Sequence, residues 1–259
     1  MSFEPDTMLV HEVVASPNFG ERAQNRPPDM VVLHYTGMPT AQSAIDRLLS
    51  PLYKVSCHYL VTEEGRILQM VPEKLRAWHA GEGSWNGEDD VNSSSIGIEI
   101  VNPGHDNGYP EFPRRQIAAV TALCRSILRR RVIRAERILA HSDVSPSRKI
   151  DPGEKFPWMI LHRSGVGHWV EPSPIVSGPE FEPGDSGHAV QSFQLALREY
   201  GYGVPTDGVF DPITRDVVIA FQRHFRPARI DGRVDSSTLM TLRRLLEGRG
   251  VRRHPSAAA

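Results

Sequence analysis

Residues 30–35 read Met-Val-Val-Leu-His-Tyr, and the fold is decided by how this run is read. It is short, apolar and β-branched, the pattern of a buried strand, and it runs out on a histidine. Residues 96–101, Ile-Gly-Ile-Glu-Ile-Val, form a second such strand. Their alternation puts Ile96, Ile98 and Ile100 on one face and Gly97, Glu99 and Val101 on the other. Residues 137–140 make a third strand that ends at His141. Between these runs, residues 42–49 read as a helix. Residues 58–61 and 67–71, joined at Glu64 and Gly65, read as a hairpin. Pro113 opens a helix that carries Ile117, Val120, Cys124, Ile127 and Leu128 at helical spacing. The sum is an α/β domain over 1–170, a mixed central sheet flanked by helices, of normal domain size.

The pattern changes near residue 170. Residues 171–184 contain Pro172, Pro174, Pro179 and Pro183 with Gly178 and Gly184, which block regular helix. This reads as a semi-extended linker that lets the parts on either side move as units. Residues 185–248 then show three amphipathic helical patterns. Val190, Phe193, Leu197 and Tyr200 mark the first, Val217, Val218 and Phe221 the second, and Leu239, Leu242, Leu245 and Leu246 the third. An internal repeat runs through them: Asp207-Gly208 to Thr214 aligns with Asp231-Gly232 to Thr238. In each copy Asp-Gly makes a turn and a second aspartate, Asp211 or Asp235, is placed to cap the next helix. A small all-helical domain is expected there, followed by a tail over 249–259.

Composition narrows the function. The 259 residues are 39% hydrophobic and 24% charged, which excludes whole-chain disorder. Thirty Lys and Arg against 31 Asp and Glu give a formal net charge of -1, which argues against a nucleic-acid partner. No apolar run approaches the ~20 residues of a transmembrane segment. Two cysteines, Cys57 and Cys124, make neither a disulfide scaffold nor a Cys-rich metal site. No export signal is visible at the N-terminus, so the sequence as written points to the cytoplasm. Histidine, at 11 residues, is the unusual count.

Three of the polar residues stand where metal ligands would. His34 and His141 end strands, and Asp151 follows His141 at a distance of ten residues, before Pro-Gly. Two imidazoles and one carboxylate suit zinc and leave a fourth position open. Glu99 lies inside an apolar strand, where a carboxylate is costly unless paired or functional, and a glutamate beside such a metal is placed to act as general base. Lys149 is two residues before Asp151 and could stabilise a developing oxyanion. On residue type alone, the plainer alternatives stay open: turn and capping histidines, an Asp-Pro turn, a solvated glutamate and a solvated lysine.

Four strings weigh against those alternatives: VVLHYTGM, VSCHYLVTEEGRILQMVPEKLRAWHAG, SSIGIEIVNPG and LAHSDVSPSRKIDPGEKFPW. In content and order they resemble the motifs of the zinc-dependent N-acetylmuramoyl-L-alanine amidases. That family is related to T7 lysozyme and the peptidoglycan recognition proteins, and the likeness is nearest to its anhydro-muropeptide amidases. The resemblance spans about residues 30–160. It implies the peptidoglycan recognition protein-like amidase fold, one zinc ion on His34, His141 and Asp151, Glu99 as catalytic acid/base and Lys149 as oxyanion stabiliser. It places His79 near the site, and Trp85, Asn86 and Asn102 in the substrate groove with it. His58 reads instead as a structural strand residue and Cys57 as a buried thiol. The segment from about 185 to 246 resembles the peptidoglycan-binding module found beside many cell-wall hydrolases, apart from Asp211 and Asp235, where many such modules have glycine.

The expected function is hydrolysis of the amide between N-acetylmuramoyl or anhydro-N-acetylmuramoyl groups and L-alanine of the stem peptide, in cell-wall turnover or recycling. The partner is peptidoglycan or a muropeptide. Such a function implies the cell envelope, in tension with the missing export signal. Two alternatives are a zinc peptidase that cuts within stem peptides and a non-catalytic recognition protein. The second is disfavoured because every zinc-ligand position is filled.

Overall fold

A computed structural model describes residues 3–175 and 178–249 of the chain. The first part contains strands β1 (Glu12–Val13), β2 (Phe19–Gly20) and β3 (Met30–Tyr35), then helix α1 (Ala41–Leu49). Strands β4 (Tyr59–Val61), β5 (Ile67–Gln69) and β6 (Arg76–Ala77) follow, then α2 (Val91–Ser94) and β7 (Ser95–Ile100). Helix α3 (Arg114–Arg130), β8 (Ile138–Ala140), α4 (His141–Val144) and α5 (Trp158–Arg163) complete it. The later part contains β9 (Pro179–Phe181), α6 (His188–Tyr200), α7 (Pro212–Phe225), β10 (Val234–Asp235) and α8 (Ser236–Gly248).

Six strands form the central sheet in the order β1-β5-β4-β7-β3-β8. Strand β3 lies between β7 and β8 and is parallel to both. The expected hairpin is present, with β4 antiparallel to β5 and Leu60 opposite Leu68, so the sheet is mixed. Side-chain alternation divides the sheet into two faces. Val31, Leu33, Ile96, Ile98 and Ile138 pack with Ile117, Val120, Leu123 and Ile127 of α3. On the opposite face Met30, Val32 and Leu139 belong to one cluster with Trp85, Val144 and the C-terminal side chains Phe193, Leu197, Phe221 and Phe225. That second face is the one on which His34 and Glu99 stand.

The three C-terminal helices form as the amphipathic patterns predict. Asp211 and Asp235 cap α7 and α8, each accepting a backbone N–H at 2.7 Å, from Thr214 and Thr238. Gln194 and Gln222 play matching parts in the repeat. Each accepts from the glycine of an Asp-Gly turn, Gly208 at 2.8 Å and Gly232 at 2.9 Å, and each donates to the carbonyl just beyond it. The helices are joined by a short antiparallel ribbon of β9 and β10.

The expected freedom between the two parts is not what the packing shows. Trp85, fully buried, meets Tyr202 edge-on at 4.9 Å and Tyr200 at 6.0 Å between ring centroids. Gly201, at φ 141°, allows this approach, since a Cβ there would lie 2.5 Å from the indole. The stretch read as a linker is also tied down. Ser173 accepts from Ser237 Oγ at 2.5 Å and donates to Thr241 Oγ1 at 3.1 Å, and Arg244 of α8 reaches the carbonyl of Glu171. Proline there blocks helix but does not prevent docking. Residues 176–177 of that stretch and 250–259 of the tail lie outside the described residues. Cys57 and Cys124 are both buried free thiols. Among the described residues no helix is long and apolar enough to cross a membrane.

Candidate active site

The carboxyl ends of β8, β3 and β7 lie side by side, and the site is built there. His34 is the register partner of Glu99 on adjacent parallel strands, so their side chains leave the same face. Ala140 is the register partner of Leu33, which makes His141, at the start of α4, the next side chain along. The N–H of Ser142 donates to the carbonyl of Asp151 at 3.0 Å and draws the later loop in. His34, His141 and Asp151 are buried together. His34 Nδ1 lies 2.9 Å from His141 Nδ1 and 3.1 Å from Asp151 Oδ2, and His141 Nδ1 lies 3.0 Å from the same oxygen.

The surrounding hydrogen bonds decide where the ring protons are. His141 Nε2 is 2.9 Å from the carbonyl oxygen of Ala80, which can only accept, so the proton of the neutral ring is on Nε2. For His34 the argument runs through three groups. Ser95 donates its hydroxyl to the carbonyl of Val91 at 2.5 Å, so it accepts from His79 Nε2 at 3.1 Å. The neutral His79 ring then presents a bare Nδ1, which accepts from His34 Nε2 at 3.0 Å. Both inward Nδ1 atoms are therefore lone pairs, and they face a carboxylate oxygen. Three acceptors converge with no proton among them, a donor set that fits a divalent metal such as zinc.

Electrostatics agree with neutral His34 and His79 rings. Burial, reinforced by the neighbouring His141, lowers the pKa of His34 to about 4 against the opposing pull of Asp151. Burial also holds His79 well below the usual histidine value. Glu99 goes the other way. Burial and the charge of Asp151 raise its pKa well above normal, with Lys149 opposing. Its Oε2 is buried without a hydrogen-bond partner among the described residues. Lys149, partly buried, is held on the loop between His141 and Asp151 by its N–H to Ser145 at 3.0 Å.

The four residues expected around the substrate have distinct settings. His79 stands next to His34, as expected of a residue near the site, and against Gly97, where a Cβ would lie 2.4 Å from its ring. Trp85 is buried between the two parts of the chain, because its flat indole is covered by Tyr200 and Tyr202. Asn86 lies on an exposed turn, and its N–H donates to the Gly201 carbonyl at 2.8 Å. Asn102 is 2% exposed and both ends of its amide are used, donating to Pro110 O and accepting from Gly104 N–H at 2.9 Å each. His58, as expected, is structural: its Nδ1 accepts from the Gly97 N–H at 2.9 Å. Sequence reasoning missed Asn92, whose Oδ1 accepts from the N–H groups of His79 and Ala80 and so fixes both supports of the histidine pair. It also missed Ser95. Neither carries a signal in sequence, being a small polar residue in a Val-Asn-Ser-Ser-Ser run.

Two imidazoles at parallel strand ends and a loop carboxylate, beside a half-buried glutamate whose Oε2 has no hydrogen-bond partner among the described residues, define a site suited to metal-assisted hydrolysis. The family model for N-acetylmuramoyl-L-alanine amidase matches residues 24–154, and that for a putative peptidoglycan binding domain matches residues 186–242. The N-acetylmuramoyl-L-alanine amidase AmiD of Escherichia coli K12 is 35% identical over 239 residues, which cover 85% of this chain and 83% of that protein. The 1,6-anhydro-N-acetylmuramyl-L-alanine amidase AmpD of Citrobacter freundii is 32% identical over 163 residues, 56% of this chain and 84% of that one. Among solved structures, that of E. coli AmiD with the substrate anhydro-N-acetylmuramic acid-L-Ala-D-gamma-Glu-L-Lys superposes with a TM-score of 0.73 at 35% identity, covering 86% of this chain and 90% of that one. AMPDH3 of Pseudomonas aeruginosa in complex with anhydromuramic pentapeptide gives 0.71 at 29% identity, covering 95% and 98%. The chain belongs to the N-acetylmuramoyl-L-alanine amidase family and is an amidase of that class.

Proposed function

We propose that the chain uses one zinc ion to hydrolyse the amide between the lactyl group of N-acetylmuramic acid, including its anhydro form, and L-alanine of the stem peptide, in cell-wall turnover or recycling. The convergence of three lone pairs from His34, His141 and Asp151 near Glu99, whose Oε2 is buried without a partner among the described residues, carries this reading. Relatives solved with anhydromuramic peptides support the substrate class. Zinc, held by the two Nδ1 atoms and Asp151 Oδ2, would supply Lewis acidity to the scissile carbonyl and to the attacking water.

Glu99 takes the proton from that water, and its raised pKa lets it keep the proton and pass it to the alanine nitrogen as the C–N bond breaks. The Lys149 ammonium faces the charge that develops on the carbonyl oxygen. Residues 1–170 would carry catalysis, 171–184 the connection and 185–248 the polymer contact. The test combines metal analysis with product analysis of a defined muropeptide by mass spectrometry. The expected result is about one zinc per chain, with free sugar and an intact stem peptide. A shortened stem peptide would establish the peptidase instead. Glu99→Ala should keep zinc and lose about 10²- to 10⁴-fold in turnover. Lys149→Ala should keep zinc and lose roughly 10²- to 10³-fold. Near-normal turnover in either variant removes that residue from the mechanism.

A further inference from the structure

Two adjacent side chains of α7, in the part of the chain that supplies no metal ligand, reach the segments that carry two of the ligands. His224 Nδ1 donates to Asp143 Oδ2 at 2.6 Å, and Tyr202 Oη donates to Asp143 Oδ1 at 2.7 Å. Asp143 is fully buried in α4, two residues after His141, and its Oδ2 also accepts the N–H of Ala140 at 2.8 Å. The carboxylate thus pins both sides of His141 and is itself pinned from the C-terminal part. The His224 ring stacks on Trp158 with centroids 3.8 Å apart, which leaves it little freedom to turn.

Arg223 faces the other loop. Its Nε lies 3.7 Å from Glu154 Oε2, three residues past Asp151. Glu154 accepts from His105 Nε2 at 3.1 Å, and His105 Nδ1 accepts from the hydroxyl of Tyr35, the neighbour of His34, at 3.0 Å. One helix face therefore touches a near neighbour of His141 and of Asp151 directly, and the neighbour of His34 through Glu154 and His105.

We propose that α7 is a positioning element of the metal centre, with His224 and Tyr202 as positioning residues acting through Asp143. The C-terminal part then has a task at the active site in addition to any contact with polymer. A strand end followed at once by a single helical turn has few backbone restraints of its own, and a buried carboxylate held from three directions fixes where that turn sits. The inference rests on zinc being bound by His34, His141 and Asp151.

The test is zinc affinity of the full chain, measured by competition with a chromogenic chelator. Thermal unfolding, kcat and KM on a soluble muropeptide, and retention on purified peptidoglycan are followed in parallel. Loss of a supporting contact behind a metal ligand typically weakens binding about 10- to 100-fold, and that is expected for His224→Leu. His224→Asn, whose amide N–H can replace Nδ1–H, should recover most of the loss. Tyr202→Phe removes one oxygen and leaves the ring on Trp85, so it reports even if the leucine variant fails to fold. Its expected loss is about 3- to 10-fold. Retention on peptidoglycan should not change. Zinc affinity equal to wild type in folded His224→Leu or in Tyr202→Phe would overturn the proposal and make the contact one of packing alone. Failure of the wild-type chain itself to bind zinc would instead strike the reading on which the proposal rests.

Discussion

Replacing His79 by leucine tests the proton assignment on which the proposed metal site depends. In the native arrangement the bare Nδ1 of His79 accepts the Nε2 proton of His34 and leaves His34 Nδ1 free inside the cluster. Leucine fills similar space but accepts nothing. A buried N–H without a partner costs about 1–3 kcal/mol, and at 1.4 kcal/mol per decade that is about 5- to 150-fold in a binding constant. The His34 ring has one escape: it can carry its proton on Nδ1 and donate it to Asp151 Oδ2, 3.1 Å away. That relieves the metal-free protein but occupies the lone pair the metal needs. The cost should therefore appear in zinc affinity, within the usual range of about 10- to 100-fold for such supports, and much less in the unfolding of the metal-free chain. His79→Gln, whose amide oxygen can accept, should restore part of the affinity. The assay is chelator competition at pH 7.5 with urea unfolding of the metal-free variants alongside. If His79→Leu binds zinc as tightly as wild type, the relay from Ser95 does not set the His34 tautomer and the argument for three converging lone pairs fails.

Two further outcomes follow from burial. A chain cut after Glu171 should fold poorly, because it uncovers Trp85 and strips Asp143 of Tyr202 and His224. An indole of roughly 200 Å² at about 25 cal/mol/Å² already accounts for up to ~5 kcal/mol, a large part of an ordinary domain's stability. A cut chain that melts cooperatively within a few degrees of the full chain would refute this. Stability of the metal-free chain should also fall in mild acid. Burial, helped by Arg22, lowers His58 to about 3, and burial lowers His168 to about 4. Both are neutral in the folded chain, while in the unfolded chain each takes up a proton near pH 6.5. The unfolded state thus binds more protons between pH 6.5 and about 4, and stability drops as pH falls through that window. The slope is roughly 1–3 kcal/mol per pH unit, His168 counting for less because it is partly exposed. Identical urea midpoints at pH 7.5 and pH 5 would contradict it.

The sheet and the candidate ligands were legible because both depend on local pattern. Val31 to Leu33 and Ile96 to Ile100 alternate or run apolar, and the residues that break the pattern, His34 and Glu99, turn out to be register partners. A polar group inside such a run has to be explained by function or by partners, which is why these positions stood out. The supporting residues were not legible for the opposite reason. Asn92 and Ser95 act through single hydrogen bonds to His79, and nothing in a polar run distinguishes a serine that orients a histidine from one that faces water. Trp85 misled in a related way. An aromatic near a proposed groove suits a sugar face, but the same flat apolar surface suits burial against two tyrosines, and only the position of Tyr200 and Tyr202 decides between them.

The relation between the two parts was hidden for a different physical reason. A Pro- and Gly-rich segment reports that its own backbone forms no helix; it says nothing of whether the pieces it joins share a core. Amphipathicity is equally silent on this point. The apolar stripe of α7 predicts a buried face, and Val217, Val218 and Phe221 are indeed buried, but the stripe does not say that the cluster they join includes Met30, Val32 and Leu139 of the sheet. Arg223 and His224 are the sharpest case. In sequence they are basic residues in the last turn of a helix, where a positive group complements the helix dipole, and that reading leaves nothing further to explain. In the structure the same two residues lie against the loops that hold His141 and Asp151. The sheet face that carries His34 and Glu99 is therefore packed, at Met30, Val32 and Leu139, against the part of the chain that matches the peptidoglycan-binding family. On the proposal above, a change on that part would be felt at the His34, His141 and Asp151 cluster through Asp143 and Glu154 even when it touches neither substrate nor ligand.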